Sequence, residues 1–349
     1  MSEQPGLVVL FSSGETSASG RRVYDWLLRR LSSPVHMAVL ETPAGFQPNS
    51  AHVAAEVADF LRDRLQNYHP NVTVVPARRR GTSFSPDDPQ IVAPLLTVDV
   101  IFLGPGSPTY AVRQLQGSLA WQTLVARQRL GAAIVLASAA TIAAGVLALP
   151  VYEIYKVGEE LHWAAGLDLL GAYGLKLVFI SHWNNQEGGE TLDTSRCFMG
   201  QARFDQLWLQ LPADSTVVGI DEHTALVIDV AAATCRVMGR GGVTLLRSGV
   251  TRRYSTGQTF TLAELGDFQL PPPQTDIPDA VWQAVQAAQA SQAAASAPTP
   301  PPQVLELVQQ REAARARREW ATADHLRQQL AGLGWQVVDT PAGPTLKPK

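Results

Sequence analysis

The chain has 349 residues, and this length favours about two domains rather than one. With 46% hydrophobic and 17% charged residues it can bury a substantial core, which excludes a wholly disordered, collagen-like or highly charged fibrous protein. The net charge of −3 creates no global field that would recruit nucleic acid or an anionic membrane, so such binding requires a local patch. Cys197 and Cys235 are too few for a disulfide framework or a four-thiolate zinc site, and we expect a cytoplasmic protein.

No segment predicts export or membrane insertion. The residues before Leu7 carry no basic flank, and the apolar run that follows leads to no cleavage-like site, so no signal peptide is expected. The longest apolar stretch, Gly131–Val151, is mostly alanine and contains Ser138 and Thr141. It predicts a buried strand and a packed helix, and we expect no membrane partner.

Between residue 7 and about residue 215, short β-branched runs alternate with segments of helical period. This alternation predicts an α/β fold with a doubly wound, mostly parallel sheet. The predicted strands are Leu7–Phe11, His36–Leu40, Val72–Val75, Val100–Leu103, Ala133–Ala137 and Lys176–Ile180. Helices are predicted from the Asn49-Ser50 cap to Leu65, over Thr109–Leu130 and over Arg203–Leu211.

After Pro212 the hydrophobic period changes to two, which predicts hairpins that complete the sheet or pack beside it. We expect the α/β domain to span residues 1–266 and a linker to span 267–302. Within this linker, Asp279–Ala290 can form a helix, and Ser291–Pro302 is of low complexity. A small module is expected over 303–349, with two helices that bend near Glu319 and a hairpin that turns at 341–343.

Ser138 is the most informative candidate site residue. It lies where the buried run Ala133–Ala137 passes into a segment of small residues. A sharp turn there would present the hydroxyl at the carboxyl edge of the sheet, with the N–H of Ala139 free to donate to an oxyanion. The alternative is that Ser138 only caps a helix.

Four segments together resemble the serine-peptidase family of aspartyl dipeptidase and cyanophycinase. They are 102–110 (FLGPGSPTY), the Ser138 turn, 182–189 (HWNNQEGG) and 219–225 (GIDEHTA). The resemblance covers roughly residues 5–250 and implies a class I glutamine-amidotransferase-like fold. It also implies that Ser138 is the nucleophile, His182 the general base and Glu153 the acid that orients His182.

The resemblance implies further site residues. The loop Gly104–Gly106 would supply an oxyanion donor beside Ala139, and Asn184, Glu187, Asp221 and His223 would line the pocket. The competitors of Glu153 for the acid role are Glu159, Glu160, Glu187, Asp193 and Asp221.

Two features argue for a weaker or different site. Relatives carry glycines around the serine, whereas this chain has Leu136 and Ala140 there, where space should be tight. The set His182, Glu187, Asp193 and His223 could also hold a metal, but its spacing is not compact, and we expect neither a metal nor a cofactor. A glutamine amidotransferase proper needs a cysteine at position 138, and both cysteines lie far from it in sequence.

The C-terminal residues have a separate resemblance. Residues 311–327, 330–335 and 339–343 resemble the C-terminal tail of cysteinyl-tRNA synthetases, although the synthetase signature motifs are lacking. The resemblance implies at most a module that contacts tRNA. The candidate phosphate contacts are Arg311, Arg315, Arg317, Arg318 and Arg327, and the alternative is a face that pairs the module's own helices.

The sequence therefore favours a serine-type hydrolase that cleaves an amide bond of a small peptide. The alternative is a catalytically impaired scaffold that binds a small ligand, or binds tRNA through its tail. A homodimer is also compatible with the sequence.

Overall fold

The computed structural model describes residues 4–295, 300–340 and 343–348. The chain forms two compact units, Met1–Gln289 and Ala290–Lys349. Part of the predicted low-complexity linker (296–299) and part of the predicted C-terminal turn (341–342) lie outside the described residues.

The strands of the first unit include all six that the sequence predicts, with ends that agree to within about a residue. They are β1 (Val8–Phe11), β2 (His36–Leu40), β3 (Asn71–Val75), β4 (Val100–Leu103), β5 (Ala133–Ala137), β6 (Leu147–Ala148), β7 (Ala164–Ala165), β8 (Leu177–Ile180), β9 (Thr216–Ile220), β10 (Thr224–Asp229), β11 (Thr234–Gly239), β12 (Gly242–Arg247), β13 (Val250–Ser255) and β14 (Thr259–Thr261).

The helices of the first unit cover the faces of this framework, and the last of them continues across the unit boundary. They are α1 (Ala18–Leu28), α2 (Ser50–Arg64), α3 (Pro89–Val92), α4 (Pro108–Leu115), α5 (Leu119–Arg129), α6 (Ala139–Ala143), α7 (Gly200–Trp208) and α8 (Asp279–Ala295). The predicted helix Thr109–Leu130 is in fact two helices, α4 and α5. Gly117 has a φ of +68°, and the Ser118 hydroxyl accepts a hydrogen bond from the N–H of Trp121, so a new helix starts there.

The central sheet has the strand order β14-β11-β10-β1-β5-β4-β2-β3. Strands β1 to β5 are all parallel to one another. Beyond β1, strands β10, β11 and β14 extend the sheet, each antiparallel to the strand before it. The mostly parallel α/β class predicted from the sequence is confirmed.

Both faces of the central sheet are buried, as the near-continuous apolar strands require. Along β1, Val8 and Leu10 belong to the core on one face, and Val9 and Phe11 belong to the core on the other. The alternation follows from the period of two along a strand. The ends of the strands are therefore held between two packed layers.

A second sheet has the order β13-β12-β9-β8, with β8 parallel to β9. The strand Lys176–Ile180, predicted for the main sheet, belongs to this second sheet instead. Strand β1 is paired with β5 on one side and with β10 on the other, which leaves no edge of β1 for β8. Strand β8 pairs with β9. The hairpins were predicted either to complete the main sheet or to pack beside it, and both occur: some complete the main sheet and others form the second sheet.

The first unit continues past Gly266. Ile277, Val281 and Val285 are buried with Ala126 of α5 in a small apolar cluster. The segment 267–289 is therefore packed structure, although the sequence analysis assigned it to a linker.

The second unit contains α9 (Pro302–Ala316), α10 (Trp320–Gly332) and the hairpin β15 (Trp335–Thr340) and β16 (Gly343–Pro348). The predicted break near Glu319 separates the two helices. Its small core is made by Val304, Leu330, Trp335 and Val337.

Three arginines of the second unit are engaged within it. Arg311 is buried and donates two hydrogen bonds of 2.9 Å to the carboxylate of Asp339. Arg315 also donates to Asp339, and Arg317 pairs with Glu319. The hydrogen bonds from Arg311 are the main reason that the pKa of Asp339 falls to about 2. Arg311 and Arg315 therefore join α9 to β15, and Arg317 pairs locally with Glu319 between the two helices.

Among the described residues, no helix is both long enough and apolar enough to cross a membrane.

Candidate active site

Ser138 lies at the turn that the sequence predicts, directly after β5 and directly before α6. Its φ is 52° and its ψ is −109°, a conformation that residues other than glycine rarely adopt. Its N–H donates to the carbonyl of Phe11 at the end of β1 (3.0 Å). Such strain costs about 1–3 kcal/mol and persists where the surrounding structure imposes it. The turn holds the hydroxyl clear of the sheet.

The turn forms without the glycines that were expected beside it. Leu136 and Ala140 are both buried and both belong to the core on one face of the sheet. Their side chains are therefore accommodated by packing, and the expected crowding does not prevent the strained conformation of Ser138.

His182 follows β8 and approaches Ser138 from the second sheet. The Nε2 atom of His182 lies 3.0 Å from the Oγ of Ser138. The N–H of His182 donates to the hydroxyl of Ser12 (2.6 Å), and the hydroxyl of Ser181 donates to the carbonyl of Ser138 (3.1 Å). These contacts tie the ends of β1, β5 and β8 together, although the strands belong to two sheets.

Glu222 occupies the other side of the imidazole. Its Oε1 atom lies 3.1 Å from Nδ1 of His182 and also accepts a hydrogen bond from the amide of Asn185 (3.1 Å). The N–H of Glu222 donates to Oδ1 of Asn184 (2.8 Å). The hydrogen bond from His182 lowers the pKa of Glu222, partial burial opposes this, and Asn185 adds to the lowering. Glu222 is therefore a charged acceptor for an Nδ1 proton.

Glu153, which the sequence analysis assigned to this position, lies elsewhere. It begins a π-helical turn (Glu153–Val157), and its Oε1 atom accepts a short hydrogen bond of 2.5 Å from the hydroxyl of Thr109. The described structure brings Ser138 and His182 together as expected, but the carboxylate that it places beside them is that of Glu222.

A signal for Glu222 is present in the sequence. His182 is two residues past Ile180, where β8 ends, and Glu222 is two residues past Ile220, where β9 ends. Parallel neighbouring strands bring their carboxyl ends to one edge, so these residues meet. This closeness of His182 and Glu222 follows only once β8 is known to pair with β9, and that pairing was not predicted from the sequence.

A pocket of about 360 Å³ opens beside Ser138 and His182. Besides Ser138 and His182, three further residues predicted for the site line it, namely Gly106, Ala139 and Glu187. Gly106 has a φ of +151°, and a Cβ atom there would lie 1.9 Å from the carbonyl oxygen of Pro43. Only glycine therefore allows this loop to pass so close to Pro43 at the mouth of the pocket.

Gly104, Asn184, Asp221 and His223, which were also predicted for the site, do not line this pocket. Gly104 borders a separate small cavity, and Asn184 and Asp221 line another cleft together with Trp183. Asp221 is buried and accepts hydrogen bonds from Gly242 and Arg253. The N–H of His223 donates to the hydroxyl of Ser13 (3.0 Å). Asn184 and Asp221 thus support the loop that carries Glu222.

A further carboxyl group near the imidazole, Glu15, was not anticipated. Burial raises the pKa of Glu15, while a hydrogen bond from its own backbone and the electrostatic interaction with His182 and His223 act in the opposite direction. Glu15 therefore belongs to the electrostatic surroundings of His182.

Cys197 also lines the pocket, although it is distant from Ser138 in sequence. Burial, with a smaller contribution from the charge of Glu222, raises the pKa of this thiol to about 12. The thiol is therefore protonated at neutral pH, which does not suit a nucleophile. Among the described residues, no group of three or more His, Cys, Asp or Glu side chains is arranged to hold a metal ion.

The fold is similar to that of one solved peptidase structure. The structure matches that of a peptidase from an acI-B1 actinobacterium with a TM-score of 0.59 and 19% identity, over 74% of this chain and 98% of that one. At 19% identity this similarity is evidence for the fold alone. It confirms the fold that the resemblance to peptidases predicts.

The C-terminal residues match a different family. Residues 297–343 match the cysteinyl-tRNA ligase anticodon binding domain. The chain is 56% identical over 46 residues to the cysteine–tRNA ligase of Rubrobacter xylanophilus and 53% identical over 45 residues to that of Streptomyces avermitilis. These stretches are 13% and 12% of this chain and 10% of each ligase, so the chain spans about a tenth of the length of the curated relatives it matches. The predicted resemblance of the tail is confirmed.

Proposed function

We propose that the first unit is a serine hydrolase that cleaves an amide bond of a small peptide through an acyl-enzyme. The observation that carries the proposal is the continuous hydrogen-bonded series from the Ser138 hydroxyl through the His182 ring to the Glu222 carboxylate, with spacings of 3.0 and 3.1 Å. A serine hydroxyl becomes a good nucleophile when an oriented imidazole accepts its proton. The fold likeness to a peptidase agrees with this chemistry.

In the proposed reaction, Oγ of Ser138 attacks the carbonyl carbon of the amide while Nε2 of His182 takes the hydroxyl proton. The resulting tetrahedral intermediate collapses as His182 gives this proton to the leaving nitrogen, and the C–N bond breaks. Water then attacks the acyl-enzyme with His182 again as the base, which releases the acid and restores Ser138. Glu222 accepts the Nδ1 proton throughout and stabilises the imidazolium.

We assign the oxyanion donors to the first turn of α6 and the neighbouring loop. The N–H of Ala139 is in the first turn of a helix, where backbone donors have no acceptor within the helix. Gly106 lines the same pocket from the 104–106 loop. These positions support stabilisation of negative charge on the substrate oxygen.

A fluorophosphonate probe tests the proposal directly, because it phosphonylates activated serine hydroxyls. We expect one equivalent to attach to the full chain at Ser138, seen by intact mass and peptide mapping. Ser138→Ala should abolish labelling and lower any peptide hydrolysis at least about 10³-fold. Ser83→Ala, at an exposed serine of a distant loop, is the control and should label like the unaltered chain. Absence of labelling in well-folded protein would refute the hydrolase and favour the impaired scaffold.

The identity of the orienting acid can be tested with two matched substitutions. Glu222→Gln replaces an acceptor of the Nδ1 proton by an amide and should lower kcat about 10²–10⁴-fold. Glu153→Gln changes a carboxylate whose hydrogen bond is with Thr109 rather than with the His182 ring, so kcat should stay within about threefold. The reverse order of effects would return the role to Glu153.

The pKa of Glu222 lies below its ordinary value, so this residue stays charged in mild acid. Protonation of Glu222 should therefore contribute nothing to any loss of activity of the unaltered chain in mild acid, which a pH profile of kcat measures.

A second candidate function belongs to the tail, which we propose contacts tRNA. The match of residues 297–343 to an anticodon binding domain favours it. Arg318 and Arg327 form no ion pair with any residue that the structure describes, unlike Arg311, Arg315 and Arg317. Trp320, seven residues before Arg327 on α10, is 60% exposed and suits stacking on an unpaired base.

The tail proposal predicts a salt-dependent affinity of the full chain for tRNA. Replacing Arg318 and Arg327 together by alanine should weaken binding and reduce the slope of log affinity against log salt by about two, because two phosphate contacts are lost. Arg317→Ala removes an arginine already paired with Glu319 and should leave the slope nearly unchanged. Filter binding over a salt series measures both. No binding by the full chain, or equal slopes in all three proteins, would exclude this role.

A further inference from the structure

The pocket beside Ser138 has an apolar and aromatic wall that the proposed reaction does not use. Ile142 on α6 and Val151 are buried, and the rings of Tyr155 and Phe198 lie with centroids 5.1 Å apart. We infer that the substrate side chain next to the cleaved bond is apolar, with an aromatic group preferred. This inference rests on the proposed hydrolase function and names its substrate class.

The position of the Phe198 ring is fixed by a strained segment anchored to the loop of His182. Arg196, Cys197 and Phe198 have successive φ values of 55°, 58° and 68°. Three consecutive L-residues in the left-handed region are costly, since each costs more than a right-handed residue. The N–H of Arg196 donates to the carbonyl of Trp183 (2.9 Å), and that of Cys197 donates to the carbonyl of His182 (3.1 Å). These two hydrogen bonds therefore fix the position of the Phe198 ring relative to the His182 imidazole.

The charges around the pocket do not suit an acidic side chain. Arg203 approaches the Tyr155 ring, but its Nε and one terminal nitrogen donate to the carbonyls of Met199 and Phe198 at 2.6 Å. Lys156 and Glu187, which also line the pocket, are both exposed and carry opposite charges. A carboxylate entering the apolar part would lose its hydration without gaining a buried partner there.

The size of the pocket also limits the substrate. Its volume of about 360 Å³ lies at the small end of the range for ligand pockets, which is about 300–1,000 Å³. It fits one large side chain and the amide to be cleaved rather than a long peptide. An aromatic ring fills this space and removes the most apolar area from water.

Dipeptides with glycine on one side test the substrate class. The full chain is incubated with Phe-Gly, Leu-Gly, Asp-Gly and Arg-Gly and with the four reversed peptides. Hydrolysis is followed by liquid chromatography, and protection of Ser138 against the fluorophosphonate probe reports binding without turnover. We expect phenylalanine peptides to exceed aspartate peptides at least about tenfold, in kcat/KM or in the concentration that halves the labelling rate.

The outcomes separate the inference from the function on which it rests. Suppose that the probe labels Ser138, but that aspartate or arginine peptides slow the labelling as much as phenylalanine peptides do, or that no peptide slows it. This result would overturn the substrate class and leave the hydrolase intact. No labelling at all would remove the hydrolase and the inference with it.

Variants of Phe198 locate the preference in the aromatic wall. Phe198→Ala keeps an L-residue in the left-handed conformation but removes the ring, so the advantage of phenylalanine over aspartate peptides should fall about tenfold or more. Phe198→Tyr should restore it. Phe46→Ala removes a ring that packs on Tyr110 in a neighbouring cleft and should leave the preference unchanged. An unchanged preference in Phe198→Ala would contradict the assignment.

Discussion

The site depends on one constraint: the imidazole of His182 must be held between the Ser138 hydroxyl and the Glu222 carboxylate, although these groups come from different sheets. Ser138 ends a strand of the central sheet, and His182 and Glu222 follow neighbouring strands of the second sheet. The two sheets are linked at this edge by the hydrogen bond from the His182 N–H to Ser12 and by that from Ser181 to the Ser138 carbonyl. The geometry of the candidate site therefore depends on how the two sheets join.

This junction is also where the backbone is strained. Ser138, His182 and His223 all have φ values between 52° and 56°, which L-residues rarely adopt. Strain of this kind persists only when the surroundings impose it, and here the strand ends are held by two packed cores. The strained backbone orients the Ser138 hydroxyl and the His182 imidazole toward each other. The glycines expected beside Ser138 are not required for this conformation.

The features predicted from the sequence are those set by local pattern. The apolar runs located the strands to within about a residue, and the strand-to-helix transition located Ser138. Glu222 was missed because its place depends on β8 pairing with β9 outside the main sheet, a long-range choice that no local pattern records. The ion pair between Arg311 and Asp339 was missed for the same reason, since the partners are 28 residues apart. The roles of Ser138 and His182 stay predictions that the geometry supports.

In the proposed site, Glu222 holds His182 in the tautomer that leaves Nε2 free to accept the Ser138 proton. Nitrogen chemical shifts of the His182 ring in ¹⁵N-histidine-labelled protein measure this directly, with His182→Gln used for assignment. We expect the neutral ring to carry its proton on Nδ1 and none on Nε2, and we expect Glu222→Gln to lose this tautomer. A neutral ring with its proton on Nε2, or a tautomer that Glu222→Gln leaves unchanged, would show that Glu222 does not orient His182.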